Sequence, residues 1–235
     1  MKTRQEIKAI GKEKFKLNYW NCVLAALLVT AVMGAISWIG SGQEITRTIN
    51  GEYGEATVSL RSNVGSLLTI LLGGPLTIGL NSFFVRNIKG QTQDLTVTTP
   101  FNEAFQNYPR KLGGSLWMGL FVFLWSLLLI IPGIIKSISY SMTPYILADC
   151  PNVKARDALK LSMRMMEGHK WEYFVMGLSF IGWILLSLFT LGLVSVFYAQ
   201  PYMNSSFAAY YLEVRNEALR TGAVTYGQMN GVEAV

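Results

Sequence analysis

A chain of 235 residues that is 51% hydrophobic and only 14% charged falls well below the roughly 25% charge of an ordinary soluble domain. Its charges crowd into short stretches with apolar blocks between them, the pattern of a polytopic membrane protein rather than of a soluble fold. The net charge of +6 comes without a basic patch interleaved with stacking aromatics, which argues against nucleic acid as a partner.

The first eighteen residues carry Lys2, Arg4, Lys8, Lys12, Lys14 and Lys16, with Ile7, Ile10 and Leu17 recurring at roughly helical spacing. They read as a basic helix on an anionic membrane surface. Tyr19 and Trp20 stand where interfacial aromatics belong. The apolar run Cys22 to Ile39 is longer than the core of a signal peptide, so it reads as a retained first span. Gly40 to Asn63 is a polar loop in which Thr, Val and Tyr alternate loosely with polar residues, consistent with a short hairpin. Val64 to Val85 makes a second span, interrupted by Gly73-Gly74-Pro75 and closed by Arg86 and Lys89. Phe101, Ala104, Phe105 and Tyr108 then form an amphipathic turn or two.

Leu112 to Ile131 is free of charge and long enough to span, and Pro132-Gly133 punctuates it before the more polar Ile134 to Ala148. Asp149 to Lys170 is the most charged region. Ala155, Ala158, Leu159, Met163 and Met166 line one face of a helix there, opposite Lys154, Arg156, Asp157, Lys160, Arg164 and Glu167. That helix is read either as a surface helix covering the ends of the spans or as an interfacial helix that takes lipid or a partner. Trp171 to Phe189 and Leu193 to Leu212 complete the spans. The tail, 214–235, has no periodicity and is expected to be mobile.

The distribution of basic residues decides the course of the chain. If Pro132-Gly133 is a turn and Ile134 to Ala148 a true span, all of the 20 Lys and Arg except Arg47, Arg61 and Lys136 fall on one side, which the positive-inside rule makes the cytoplasm. The expected fold is therefore an all-α bundle of six transmembrane helices with both termini cytoplasmic. The fifteen residues of Ile134 to Ala148 reach only about 22 Å as a helix, short of the bilayer core of about 30 Å. Cys22 and Cys150 then lie near cytoplasmic ends, where a disulfide is not expected.

Self-comparison adds a repeat. Glu103-Ala104-Phe105 and Asp157-Ala158-Leu159 precede Trp117 and Trp171 by the same offset, and Pro144-Tyr145 matches Pro201-Tyr202. Three loosely repeated hairpins, about 1–90, 98–149 and 152–213, follow from it. Each consists of an amphipathic interfacial helix, an apolar span, a turn and a span rich in aromatic and hydroxyl residues. The segments NYWNCVLAALLV, LLLIIPGIIKSISYSMTPYILAD and ALKLSMRMMEGHKWEYFVMGLSFIGWILL resemble the bacterial DUF975 family of integral-membrane proteins. The resemblance implies a multi-pass protein of the bacterial cytoplasmic membrane and no catalytic residues.

Nothing in the spans assembles a catalyst. Their interiors lack Asp and Glu, there is no HExxH, and the lone His169 in EGHKWE has no evident partner. No enzyme activity, cofactor or metal is expected. The polar residues of the second spans, Asn81, Ser82, Ser139, Tyr140, Gln200 and Asn204, would either line a central cavity or bond neighbouring helices as packing groups. Lys8, Lys12, Lys14, Lys16, Lys154, Arg156, Lys160 and Arg164 are the expected contacts to anionic lipid. The sequence thus favours a non-catalytic scaffold, accessory subunit or regulator, with membrane lipids and a protein at the cytoplasmic face as partners. A small transporter or channel is the alternative.

Overall fold

The computed structural model describes residues 1–41, 44–51, 54–61, 64–233 and 235, with the backbone alone over 39–65. Helix α1 (Arg4–Leu17) opens on a reciprocal cap: Thr3 accepts from the Glu6 N–H while the Glu6 carboxylate accepts from Thr3 N at 2.7 Å. Helix α2 (Tyr19–Ser41) follows. Strands β1 (Glu44–Gly51) and β2 (Gly54–Arg61) pair antiparallel from Glu44↔Arg61 to Gly51↔Gly54. The polar loop is thus a hairpin, the one strand element in an otherwise helical set of described residues.

Helix α3 (Val64–Ile88) runs unbroken through Pro75, contrary to the interruption expected at Gly73-Gly74-Pro75. Proline removes the donor for the carbonyl four residues earlier, here Leu71, and the Tyr108 hydroxyl donates to that oxygen at 3.1 Å. The glycines serve close packing instead. A Cβ on Gly74 would run into Ser115 Oγ, and one on Gly79 into the Pro100 carbonyl. Short α4 (Thr99–Phe105) therefore packs against α3 and leads into α5 (Tyr108–Leu128).

Beyond Leu129 the chain returns as α6 (Ile130–Ser139) and α7 (Thr143–Asp149). The two are separate because α8 (Ala155–Met165) intervenes. Ser162 Oγ donates to the Ser139 carbonyl at 2.7 Å and accepts from Met142 N at 3.2 Å, stabilising the break. Helix α9 (Lys170–Leu178) continues as α10 (Ile181–Phe189) after a break at Ser179-Phe180. A turn at Leu191-Gly192, both with positive φ, leads through a π-helical stretch, Ser195–Ala199, into α11 (Gln200–Thr221). Helix α12 (Tyr226–Met229) closes the chain.

Among the described residues, four segments are long and apolar enough to cross a membrane: Tyr19–Trp38, Ser66–Ile88, Tyr108–Leu128 and Lys170–Phe189. This corrects the expected six. The stretch Ile130–Asp149 forms two helices, of ten and seven residues, that part at the Ser162 contact, so Ile134 to Ala148 is not one continuous helix. Helix α11 is long but polar, and α1, α3 and α8 cover it.

The core forms around α11, which buries Tyr202, Ser205, Ala208, Tyr210, Tyr211 and Val214 among others. Helix α1 lies antiparallel to it. Gly11 meets Ser206 so closely that a Cβ would stand 2.7 Å from its Cα, and the Phe15 ring sits 5.6 Å from that of Tyr198. The helix expected to lie flat on the membrane thus buries Ile7, Gly11 and Phe15 in protein. The chain beyond residue 213 is also more structured than its lack of periodicity implies: α11 continues to Thr221, and Val224 and Met229 are buried.

Candidate functional site

At the charged end of the bundle stands Asp149, the last residue of α7. Its carboxylate is 7% exposed. It accepts from Arg215 Nη1 at 2.8 Å and Tyr211 Oη at 3.1 Å, and its other oxygen takes Lys89 Nζ. Tyr211 is held for this by stacking on Tyr145, with centroids 5.4 Å apart. One carboxylate thereby ties together the ends of α3, α7 and α11. The buried carboxylate is tolerable only because it finds these partners, whose charged side chains stay partly exposed.

Arg110 supplies a second tie. Its guanidinium donates to the carbonyls of Leu147 at 2.5 Å, Val153 at 2.8 Å and Cys150 at 3.1 Å, satisfying the orphan carbonyls at the α7 terminus. A third set joins Arg86 to Glu103 at 3.1 Å and Lys111 to the same residue's carbonyl and carboxylate. Lys2 and the first amine engage Glu213 and Glu217 of α11 at 3.5 and 3.3 Å. Burial pushes the Cys150 thiol up to about 11, so it is a neutral thiol at physiological pH.

Between these ties opens a polar groove of about 780 Å³, walled by Ser82, Arg86, Lys89, Asp94, Glu103 and Asp149 and edged by Gln91, Gln93 and Gln106. Two of its three acids are already paired to cations. The groove holds no histidine, cysteine or serine–base pair, and the described residues contain no group of His, Cys, Asp or Glu able to hold a metal. Such a lining can take up a polar segment by hydrogen bonding and charge pairing.

The six polar residues expected to share a cavity sit on three parts of the chain, α3, the α6–α7 break and α11. Ser82 lines the groove. Asn81 is buried in α3. Ser139 and Tyr140 stand at the α6–α7 break, the former bonding Ile135 O at 2.8 Å. Gln200 is exposed and Asn204 half-buried on α11. Of the basic residues expected to meet lipid, Lys12, Lys16, Lys154, Arg156, Lys160 and Arg164 are exposed and Lys14 is half-buried. Arg156 lies over the Trp117 ring at 5.5 Å, and Lys160 donates to the Val235 carbonyl at 3.1 Å. Lys8 turns inward, donating to Ser179 Oγ at 3.0 Å with its ammonium 4.2 Å above the Phe180 ring. Burial lowers its affinity for a proton, as does the charge of Arg4. His169 Nδ1 lies 3.3 Å from Glu172, a partner three residues along its own chain.

Sequence reasoning missed the Asp149 cluster, whose cations lie 60 and 66 positions away. The one available signal was an isolated acid closing a long stretch without Asp or Glu.

A family model described as "Protein of unknown function (DUF975)" matches residues 127–218. The match supports the resemblance seen in LLLIIPGIIKSISYSMTPYILAD and ALKLSMRMM. It takes in α6 to α10 and nearly all of α11 and leaves the first hairpin outside. No curated protein and no solved structure matches the chain.

Proposed function

We propose that the protein is a non-catalytic integral membrane protein, a scaffold, accessory subunit or regulator, whose charged helix ends form a docking platform at the cytoplasmic face. The groove carries this reading. Its polar walls are fixed by ion pairs from four helices, and its lining offers hydrogen-bonding and charged groups to a polar partner segment. A wall held this firmly gives up little conformational freedom when a partner segment binds.

In this reading the chain forms three loosely related hairpins, each rising from the platform and returning to it. Packing of α2 on α3, of α5 on α6 and of α10 on the π-helical stretch is consistent with that arrangement. The excess of lysine and arginine beside the platform favours the cytoplasmic side, and exposed Lys12, Lys16, Lys154 and Arg164 are available to anionic headgroups there.

The test is site-specific photocrosslinking from Gln91 and Gln106 in native membranes. A discrete adduct with a protein, lost when Arg86 and Lys89 are both changed to Glu, is the expected result. Crosslinks to lipid alone, or none from either position, would overturn the docking reading.

A further inference from the structure

The third hairpin differs from the first in what stands at its tip. The first is tipped by the polar segment 40–63 with five charged residues, whereas Phe189-Thr190-Leu191-Gly192-Leu193 contains none. Indeed no charged residue occurs between Glu172 and Glu213. Phe189 and Leu191 are 84% and 95% exposed to whatever surrounds the tip. A loop emerging into water on the far side of a membrane has no need to be so apolar.

Its backbone is arranged for a solvent that cannot hydrogen-bond. From Thr190 to Val194 every N–H is donated within the tip, to Leu186 O, Leu188 O, Ser187 O, Thr190 O and Thr190 Oγ1 in turn. The Thr190 hydroxyl, the tip's lone polar side chain, itself donates back to Leu186 O or Ser187 O at 3.2 Å. Irregular backbone facing hydrocarbon requires such internal satisfaction.

The depth of the hairpin is marked by α1. Lys8 reaches Ser179 at the break between α9 and α10. Phe15 packs on Tyr198, whose ring is 4.8 Å from that of Trp183. Exposed Lys12, Glu13 and Lys16 therefore flank the base of α10. Were all of Lys170–Phe189 to cross the bilayer, these three charges would be drawn into its core, which is costly. Beyond that base, the nine residues of α10 rise about 14 Å, roughly half of a 30 Å core.

We infer that α10 and the returning π-helical stretch form a re-entrant hairpin whose tip is solvated by the acyl chains of one leaflet, the leaflet on the α1 side. The chain between Glu172 and Glu213 enters and leaves by the same face. This keeps α9 and α11 on one side, as the charge distribution demands, without a crossing. The inference rests on the reading that places α1 at the cytoplasmic face only for the identity of the leaflet.

The experiment uses the full chain in sealed membrane vesicles of both orientations, with single Leu191→Cys and Leu193→Cys variants and Lys16→Cys as the reference. A membrane-impermeant maleimide should label Lys16→Cys from the cytoplasmic side and leave both tip cysteines below a tenth of that level from either side. A bimane attached at either tip position after solubilisation and reconstitution should be quenched most by lipids brominated near the chain ends. Labelling of a tip cysteine from the side opposite Lys16→Cys would show a full crossing and overturn the inference. Labelling from the same side, or strongest quenching by shallow bromines, would overturn it too. Labelling of Lys16→Cys from outside would refute the cytoplasmic platform while leaving the hairpin intact. A variant that misfolds is recognised by its detergent elution profile, and the other tip position then carries the test.

Discussion

Helices α10 and α11 are consecutive in the chain and obey opposite rules. The first presents Ile184, Leu185, Leu188 and Phe189 outward and buries Ser187. The second is barely hydrophobic in composition, yet it buries tyrosines, serines and alanines at the centre of the fold. In water the assignments would be exchanged, because apolar side chains would be driven inward. Where hydrocarbon is the solvent, that drive vanishes between helices, and small or hydrogen-bonding residues make the better interior. A hydropathy threshold therefore finds the outside of such a protein and passes over its axis.

The sharpest way to break the contrast is to attack what fixes α11 in the centre. Asp149→Asn leaves Arg215 and Lys89 without their counter-charge. The expected loss is about 2–4 kcal/mol, scaled below the full cost of a broken buried pair because both cations are partly exposed. Thermal unfolding in detergent would read it, and a variant as stable as the parent would show that the tie is ornamental. Gly79→Ala forces the α3–α4 contact apart and should cost about 1–3 kcal/mol. Gly34→Ala and Gly119→Ala, whose Cβ positions are open, should be neutral or slightly stabilising. Equal effects at the three glycines would mean that close packing does not organise the interior.

Smaller effects come from the proline carbonyls. Tyr108→Phe should cost about 0.5–1.5 kcal/mol. The loss should shrink in a Pro75→Ala background, where the restored N–H serves Leu71 O. An unchanged loss in the double-mutant cycle would detach Tyr108 from the proline. Smallest in energy is a reactivity contrast. With its ionisation pushed up to about 11, Cys150 should react at pH 7 roughly a hundredfold more slowly than a thiol near 9, accelerating as pH rises toward 11. Fast labelling at pH 7 would show that the α7 terminus opens.

Much of the outside was legible in advance. Apolar runs and the segregation of lysine and arginine are local properties of the sequence, and the helices follow the apolar runs. What escaped was decided by partners far along the chain. Gly73-Gly74-Pro75 reads as a break until Tyr108 is brought alongside. Ile134 to Ala148 reads as one span until Ser162 enters its backbone. The basic N-terminal helix reads as a surface element because nothing local reveals that Gly11 matches Ser206. The groove was invisible for the same reason, since Arg86, Glu103 and Asp149 come from α3, α4 and α7 and meet only once those helices have packed together.

The tyrosine that serves Pro75 has a counterpart at the other end of the chain. Four residues before Pro201, the Phe197 carbonyl accepts the Tyr19 hydroxyl at 2.9 Å. Both donors come from another helix, so neither of these bonds can form within the carbonyl's own segment. The first must wait for α5. The second, made near the end of synthesis, is answered by a residue made near the start. In a medium where a bare carbonyl is costly, each proline records whether its neighbour has arrived. Assembly is then complete only when the two ends of the chain have found each other.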